Sequence, residues 1–131
     1  MKVAVRYYSR SGNTKALAEE IAKAAGVEAV SVDAANAQIN EPVDLLFVGG
    51  ALYAYGLDSH LKAYLKGLNS KNVKKAAVFS TSWISKHSID LMKKMLEEKE
   101  ISVVEKTLYA KNRPDETKLA EARSFAAELT K

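Results

Sequence analysis

The strongest constraint on this chain is that short apolar runs alternate with helix-period segments along its whole length. Runs at residues 3–8, 28–32, 44–49, 75–80 and 101–110 are rich in the residues that favour strands. Residues 13–25, 58–68, 88–99 and 114–130 instead space their apolar side chains three and four apart. Examples are Leu17 with Ile21, Leu61 with Leu65 and Leu68, Ile89 with Met92 and Leu96, and Leu119 with Ala122, Phe125 and Leu129. Gly26 marks the end of the first helix, Asp58 or Ser59 caps the second, Ser88 caps the third, and Pro114 opens the fourth. The run Asp44-Leu45-Leu46-Phe47-Val48-Gly49 is apolar without alternation, as in a central strand covered on both faces. The pattern reads as five β–α units in succession, with parallel strands joined by right-handed crossovers. The expected fold class is α/β, a three-layer doubly wound domain. Such sheets bind ligands outside the carboxyl ends of their strands, which makes loops 9–14, 49–57, 81–87 and 110–114 the candidates.

At 131 residues, with no internal repeat, low-complexity stretch or linker, the chain is expected to form one domain, 1–131. The absence of cysteine excludes disulfides, thiolate catalysis, iron–sulfur clusters and cysteine-ligated zinc. His60 and His87 are far apart and lack clustered carboxylates, so no metal site is expected. The formal net charge of +4 comes from the second half, where Lys66, Lys71, Lys74 and Lys75 form the densest basic stretch. No aromatics interleave with these lysines, which argues against a nucleic-acid surface. They would steer an acidic partner only if they bordered the ligand. Lys2 and Arg6 break the first apolar run, unlike a signal peptide, and the apolar stretch 45–54 contains two glycines and is too short to span a bilayer. The expectation is a soluble, cytoplasmic monomer that contacts neither membrane nor nucleic acid.

The first candidate loop, Ser9-Arg10-Ser11-Gly12-Asn13-Thr14, runs from a strand straight into a helix. Amides at a helix start are unpaired and the dipole there is positive, so hydroxyls and a glycine at this point suit a phosphate. The alternative is that Ser11 or Asn13 merely caps the helix. The loop has neither Gly-x-Gly-x-x-Gly nor Gly-Lys-Ser/Thr, so a dinucleotide site or a nucleotide hydrolase is not indicated.

Tyr7-Tyr8-Ser9-Arg10-Ser11-Gly12-Asn13-Thr14 resembles the phosphate signature of the flavodoxins, Ser/Thr-x-Thr/Ser-Gly-x-Thr after the first strand. The resemblance extends over essentially the whole chain and is to the short-chain members, whose fifth strand has no long insertion. It implies a five-stranded parallel sheet of order 2-1-3-4-5 and FMN as cofactor. Ser9, Ser11, Asn13 and Thr14 would then contact the phosphate together with Gly12 and the backbone of Arg10, whose side chain is expected in solvent. Gly50, Ala51, Leu52, Tyr53, Ala54 and Tyr55 occupy the position of the family's second ligand loop, against one face of the flavin ring. Relatives often place glycine where this chain has Ala54-Tyr55. Thr81, Ser82 and Trp83 occupy the third loop, with Trp83 as the natural stacking residue. Lys86 and His87 stand where relatives carry acidic residues, which implies better stabilisation of negative charge on the reduced ring. Asn112 and Arg113 follow the last strand, near the ring edge.

No catalytic constellation can be assembled from these loops. That suits an electron carrier, in which the cofactor supplies the chemistry and the protein tunes it. Its partners would be redox proteins, a reductase and an acceptor enzyme. The alternative is an FMN-dependent oxidoreductase, a quinone reductase or one resembling protoporphyrinogen oxidase, and a third reading is a protein on the same fold that has lost its flavin. A response-regulator receiver needs an acidic pair after the first strand, where Ser9-Arg10 stands.

Overall fold

The structure, a computed structural model, describes residues 1–53, 56–82 and 86–131. In chain order the elements are β1 (Val3–Tyr7), α1 (Asn13–Ala25), β2 (Ala29–Ser31), β3 (Val43–Gly50), the short strands β4 (Leu52–Tyr53) and β5 (Gly56–Leu57), α2 (Ser59–Lys66), β6 (Val73–Ser82), α3 (His87–Glu98), β7 (Ser102–Val103), β8 (Leu108–Lys111) and α4 (Glu116–Leu129). The main sheet runs β2-β1-β3-β6, and both β7 and β8 then pair with β6. Every pairing in it is parallel. This is the expected 2-1-3-4-5 order, with the fifth strand in two pieces. β4 and β5 form a separate antiparallel hairpin.

Alternation along the central strands feeds two cores. Ala4, Leu46, Val48, Ala76 and Val78 face the side where Leu61, Leu65, Met92 and Leu96 of α2 and α3 pack. Val5, Leu45, Phe47, Ala77 and Phe79 face Leu17, Ile21 and Phe125 of α1 and α4. Both faces are dry, so the strands have no polar face and read as continuous apolar runs. Burial of each large apolar side chain contributes about 1.5–3 kcal/mol. At the end of β3 the packing excludes side chains altogether. A Cβ on Gly49 would run into the Phe79 ring, and one on Gly50 into Leu61.

Four expectations are corrected. First, the four expected helices are present, but the β2–β3 connection holds only turns, so the β–α units do not run five in unbroken succession. The Ala37 carbonyl there accepts from Arg6 Nε at 2.7 Å and from the Tyr64 hydroxyl at 2.6 Å, side-chain bonds that replace a helical one. Second, the last strand is interrupted. Val103 pairs with Ala76 and Leu108 with Phe79, so five steps on the outer strand match three on β6. Two residues are in excess, and Glu105 and Lys106 lie exposed there. Because the excess is even, Val103 and Leu108 still fall on the faces their partners face. Third, Pro114 precedes the N-cap of α4. The cap is Asp115, whose Oδ1 accepts from the Lys118 amide at 2.9 Å. Fourth, Ser88 is not a cap but a buried residue of α3, with its hydroxyl 2.6 Å from that of Ser80.

Lys74 and Lys75 open β6, and Thr81 and Ser82 close it. With Lys66 at the end of α2 and Lys71 in the turn before β6, the densest lysine stretch occupies the pole opposite the carboxyl ends of the strands. No helix among the described residues is long and apolar enough to cross a membrane.

Candidate functional site

The carboxyl ends of β1, β3 and β6 lie side by side, and the loops leaving them meet around a cavity of about 160 Å³. Ser11 lines it from the loop after β1 and Asn13 from the start of α1, Ala51 with Leu52 and Tyr53 of β4 from beyond β3, Thr81 and Ser82 from the end of β6, and Asn112 from just past β8. No charged side chain is among these. A neighbouring cavity of about 360 Å³ adds Gly12 and Arg113. A larger groove of about 670 Å³ over Leu108 and Phe125 lies between β8 and α4, away from these loops.

Gly12 is the N-cap of α1, with φ of 93°. That left-handed backbone costs a residue with a side chain about 1–2 kcal/mol, which accounts for glycine here. Among the described residues no side chain caps α1 through its N-cap position. Ser9 Oγ accepts from the Gly12 amide at 3.0 Å, while Ser11 Oγ reaches the Asn13 amide only at 3.5 Å. Asn13 is the first helical residue. The amides of Thr14 and Lys15 find no acceptor among the described residues, so a helix start with a positive dipole opens onto the loop.

Thr14 and Thr81 are buried, and their hydroxyl oxygens lie 2.7 Å apart. Two hydroxyls carry two hydrogens and share one between them, which leaves one donor for a group in the cavity that Thr81 lines. Gly50 is buried in β3, and its carbonyl accepts from Ser80 Oγ at 2.6 Å, so its role is to fix the strand end. Tyr109 OH donates to the Ser82 carbonyl at 2.9 Å and anchors the third loop. Lys86 Nζ lies 5.5 Å from the centre of the Tyr109 ring.

Arg10 is exposed, as expected, but it is not unpartnered: its Nε and Nη2 donate to Asp58 Oδ2 at 3.0 and 2.6 Å, and its guanidinium sits 3.9 Å from the centre of the Tyr53 ring. Asp58 also caps α2, since its Oδ1 accepts from the His60 amide at 2.7 Å and faces His60 Nδ1 at 2.9 Å. Burial pushes the Asp58 carboxyl up, but the bonds from Arg10 and His60 together outweigh it and hold the group below the usual carboxylate range. Burial raises the Tyr53 phenol. His60 stacks on Tyr8 with ring centres 4.9 Å apart. Asp58 was legible in the sequence only as a helix cap; nothing there marks it as the partner of Arg10, 48 positions away. Ala54, Tyr55 and Trp83 lie outside the described residues.

The sequence model of the flavodoxin domain matches residues 4–119. No curated protein sequence matches the chain. Among solved structures, a flavodoxin from the domain Archaea is 24% identical with a TM-score of 0.79, over 99% of this chain and 96% of that one. Flavodoxin 1 from Bacillus cereus is 23% identical with a TM-score of 0.79, over 98% and 96%. Rubredoxin oxygen:oxidoreductase from Desulfovibrio gigas is 19% identical with a TM-score of 0.83, over 98% of this chain but 36% of that one. These structural likenesses carry the fold, and the family match spans most of the sequence. The chain belongs to the flavodoxin domain family.

Proposed function

We propose that this chain binds FMN across the carboxyl ends of β1, β3 and β6 and serves as a small electron-transfer protein. The observation that carries the reading is the start of α1: a left-handed Gly12, Ser9 and Ser11 hydroxyls, and amides of Thr14 and Lys15 without an acceptor among the described residues. That donor set suits a dianionic phosphate without a cation, because each amide or hydroxyl donates to an oxygen and the helix dipole adds to the attraction. The spare hydrogen of the Thr14–Thr81 pair is a further donor. Ala51, Leu52 and Tyr53 offer the apolar and aromatic wall that a flavin ring requires. Proteins of this family bind FMN, and the residues present fit it.

Bound FMN supplies reversible acceptance and release of one or two electrons. The chain's own groups bind and orient. The loop 9–14 holds the phosphate end, and Tyr53 and Leu52 exclude water from one side of the ring. Redox proteins, a reductase and an acceptor enzyme, would dock at this pole. The lysines at 66, 71, 74 and 75 lie at the other pole and have no part in that docking.

The test is a visible spectrum of the purified protein, followed by titration with FMN while its fluorescence is read. Flavin bands, or quenching that ends at one equivalent, are expected. No binding at micromolar protein sinks the reading. Oxidation of NAD(P)H by the loaded protein without an added reductase would replace the carrier by the oxidoreductase alternative.

A further inference from the structure

Arg10 sits inside the proposed phosphate loop, yet its side chain lines neither cavity that Ser11 lines. Both of its donors reach a single oxygen of Asp58, a carboxylate 5% exposed and set at the start of α2. From there its guanidinium covers the Tyr53 ring. Tyr53 borders two cavities. One holds Arg10, Leu57, Asp58 and Lys62, and the other holds Ser11, Thr81 and Ser82. Tyr53 belongs to a hairpin with two residues in each strand, too small to hold its own shape in water. Its support comes from outside the hairpin.

We infer that Arg10 is a positioning residue: clamped by Asp58, it fixes Tyr53 as a wall of the flavin cavity and does not act on the phosphate. The inference rests on the FMN reading. Asp58 is suited to the task because its second oxygen is held by His60, which itself stacks on Tyr8, the residue just after β1. The clamp therefore ties the first loop, the hairpin and α2 into one unit. A guanidinium over a ring tolerates no change of angle as a lone ammonium would, so lysine does not substitute for arginine here.

The experiment is a double-mutant cycle read by FMN and riboflavin dissociation constants, since riboflavin lacks only the phosphate. Arg10→Ala is expected to weaken FMN about 5-fold, the factor that corresponds to a cation–π contact of about 1 kcal/mol. Riboflavin should weaken by the same factor. Asp58→Asn should repeat the loss, because asparagine keeps the helix cap but releases the guanidinium. In the Tyr53→Leu background, Arg10→Ala should have no further effect. Circular dichroism confirms folding of each variant, and Arg10 is exposed enough for its removal to leave the fold intact. A loss confined to FMN, or an undiminished loss in the Tyr53→Leu background, overturns the inference while leaving FMN binding in place. A wild-type protein that binds neither flavin sinks both.

Discussion

Thr14→Val and Thr81→Val together test the hydroxyl pair beneath the site. The two side chains are 1% and 3% exposed, and their oxygens are 2.7 Å apart. Valine keeps the shape of threonine, so each single change removes one hydroxyl and leaves the other without its protein partner. An orphaned buried hydroxyl costs about 1–3 kcal/mol. Thr81→Val should lie toward the upper end, since Thr14 is the more deeply buried survivor, whereas Thr81 lines a cavity in which water can stand. Changing both removes the need for either partner, and the double variant should return to within about 0.5–1 kcal/mol of wild type. The coupling energy is then about 1–3 kcal/mol, far from additive. Urea unfolding of the apoprotein, followed by circular dichroism, reads these values directly. In a thermal scan, about 1 kcal/mol corresponds to roughly 3–5 °C for a domain of this size. Two results would refute the reasoning: a Thr81→Val protein as stable as wild type, or a double variant whose loss equals the sum of the singles.

Three further outcomes are expected. Gly50→Ala should destabilise the apoprotein by about 1–3 kcal/mol through overpacking against Leu61; in a Leu61→Ala background, which by itself loses about 2–5 kcal/mol, the same change should cost less than it does alone in the same unfolding assay. Asp58 has a depressed pKa in the folded protein, so its contribution is present above the unfolded value of about 3.9 and disappears as pH falls through the folded one. Stability measured from pH 6 downward should thus fall more steeply below about pH 4 in wild type than in Asp58→Asn, and parallel curves would remove Asp58 from the account. Deleting Glu105 and Lys106 together should cost no more than about 1 kcal/mol, the order of the exposed Lys106–Glu128 ion pair it removes, whereas deleting Glu105 alone should cost several times more by turning one side of the break to the wrong face.

The order and class of the elements were legible because the two hydrophobic periods are well separated here. Val43–Gly50 and Val73–Ser82 are covered on both faces and could be nothing but central strands. The interruption after Val103 was not legible, because Val104, Leu108 and Ala110 continue an apolar run whatever their pairing; only the register on β6 exposes the two extra residues. The sequence offers no helical segment between β2 and β3, and the structure holds that connection by long-range bonds from Arg6 and Tyr64 to the Ala37 carbonyl. Ser11, Asn13, Leu52, Tyr53, Thr81 and Ser82 line one cavity, and the sequence singled them out by their place after the first, third and fourth predicted strands and by the flavodoxin resemblance. The exposure of Arg10 was expected, but its pairing with Asp58 was not legible, since the two lie 48 positions apart and only the fold brings them together.

The two poles of the sheet have a practical meaning for handling the molecule. About seven residues of β6 separate Lys75 from Ser82, or roughly 23 Å at ~3.3 Å per residue. Lys66, Lys71, Lys74 and Lys75 are all exposed at the far pole. Adsorbed on a negatively charged electrode or resin, the protein should settle on that pole and leave the candidate loops at the carboxyl ends of the strands facing the solution, an orientation set by the fold with no engineered tag.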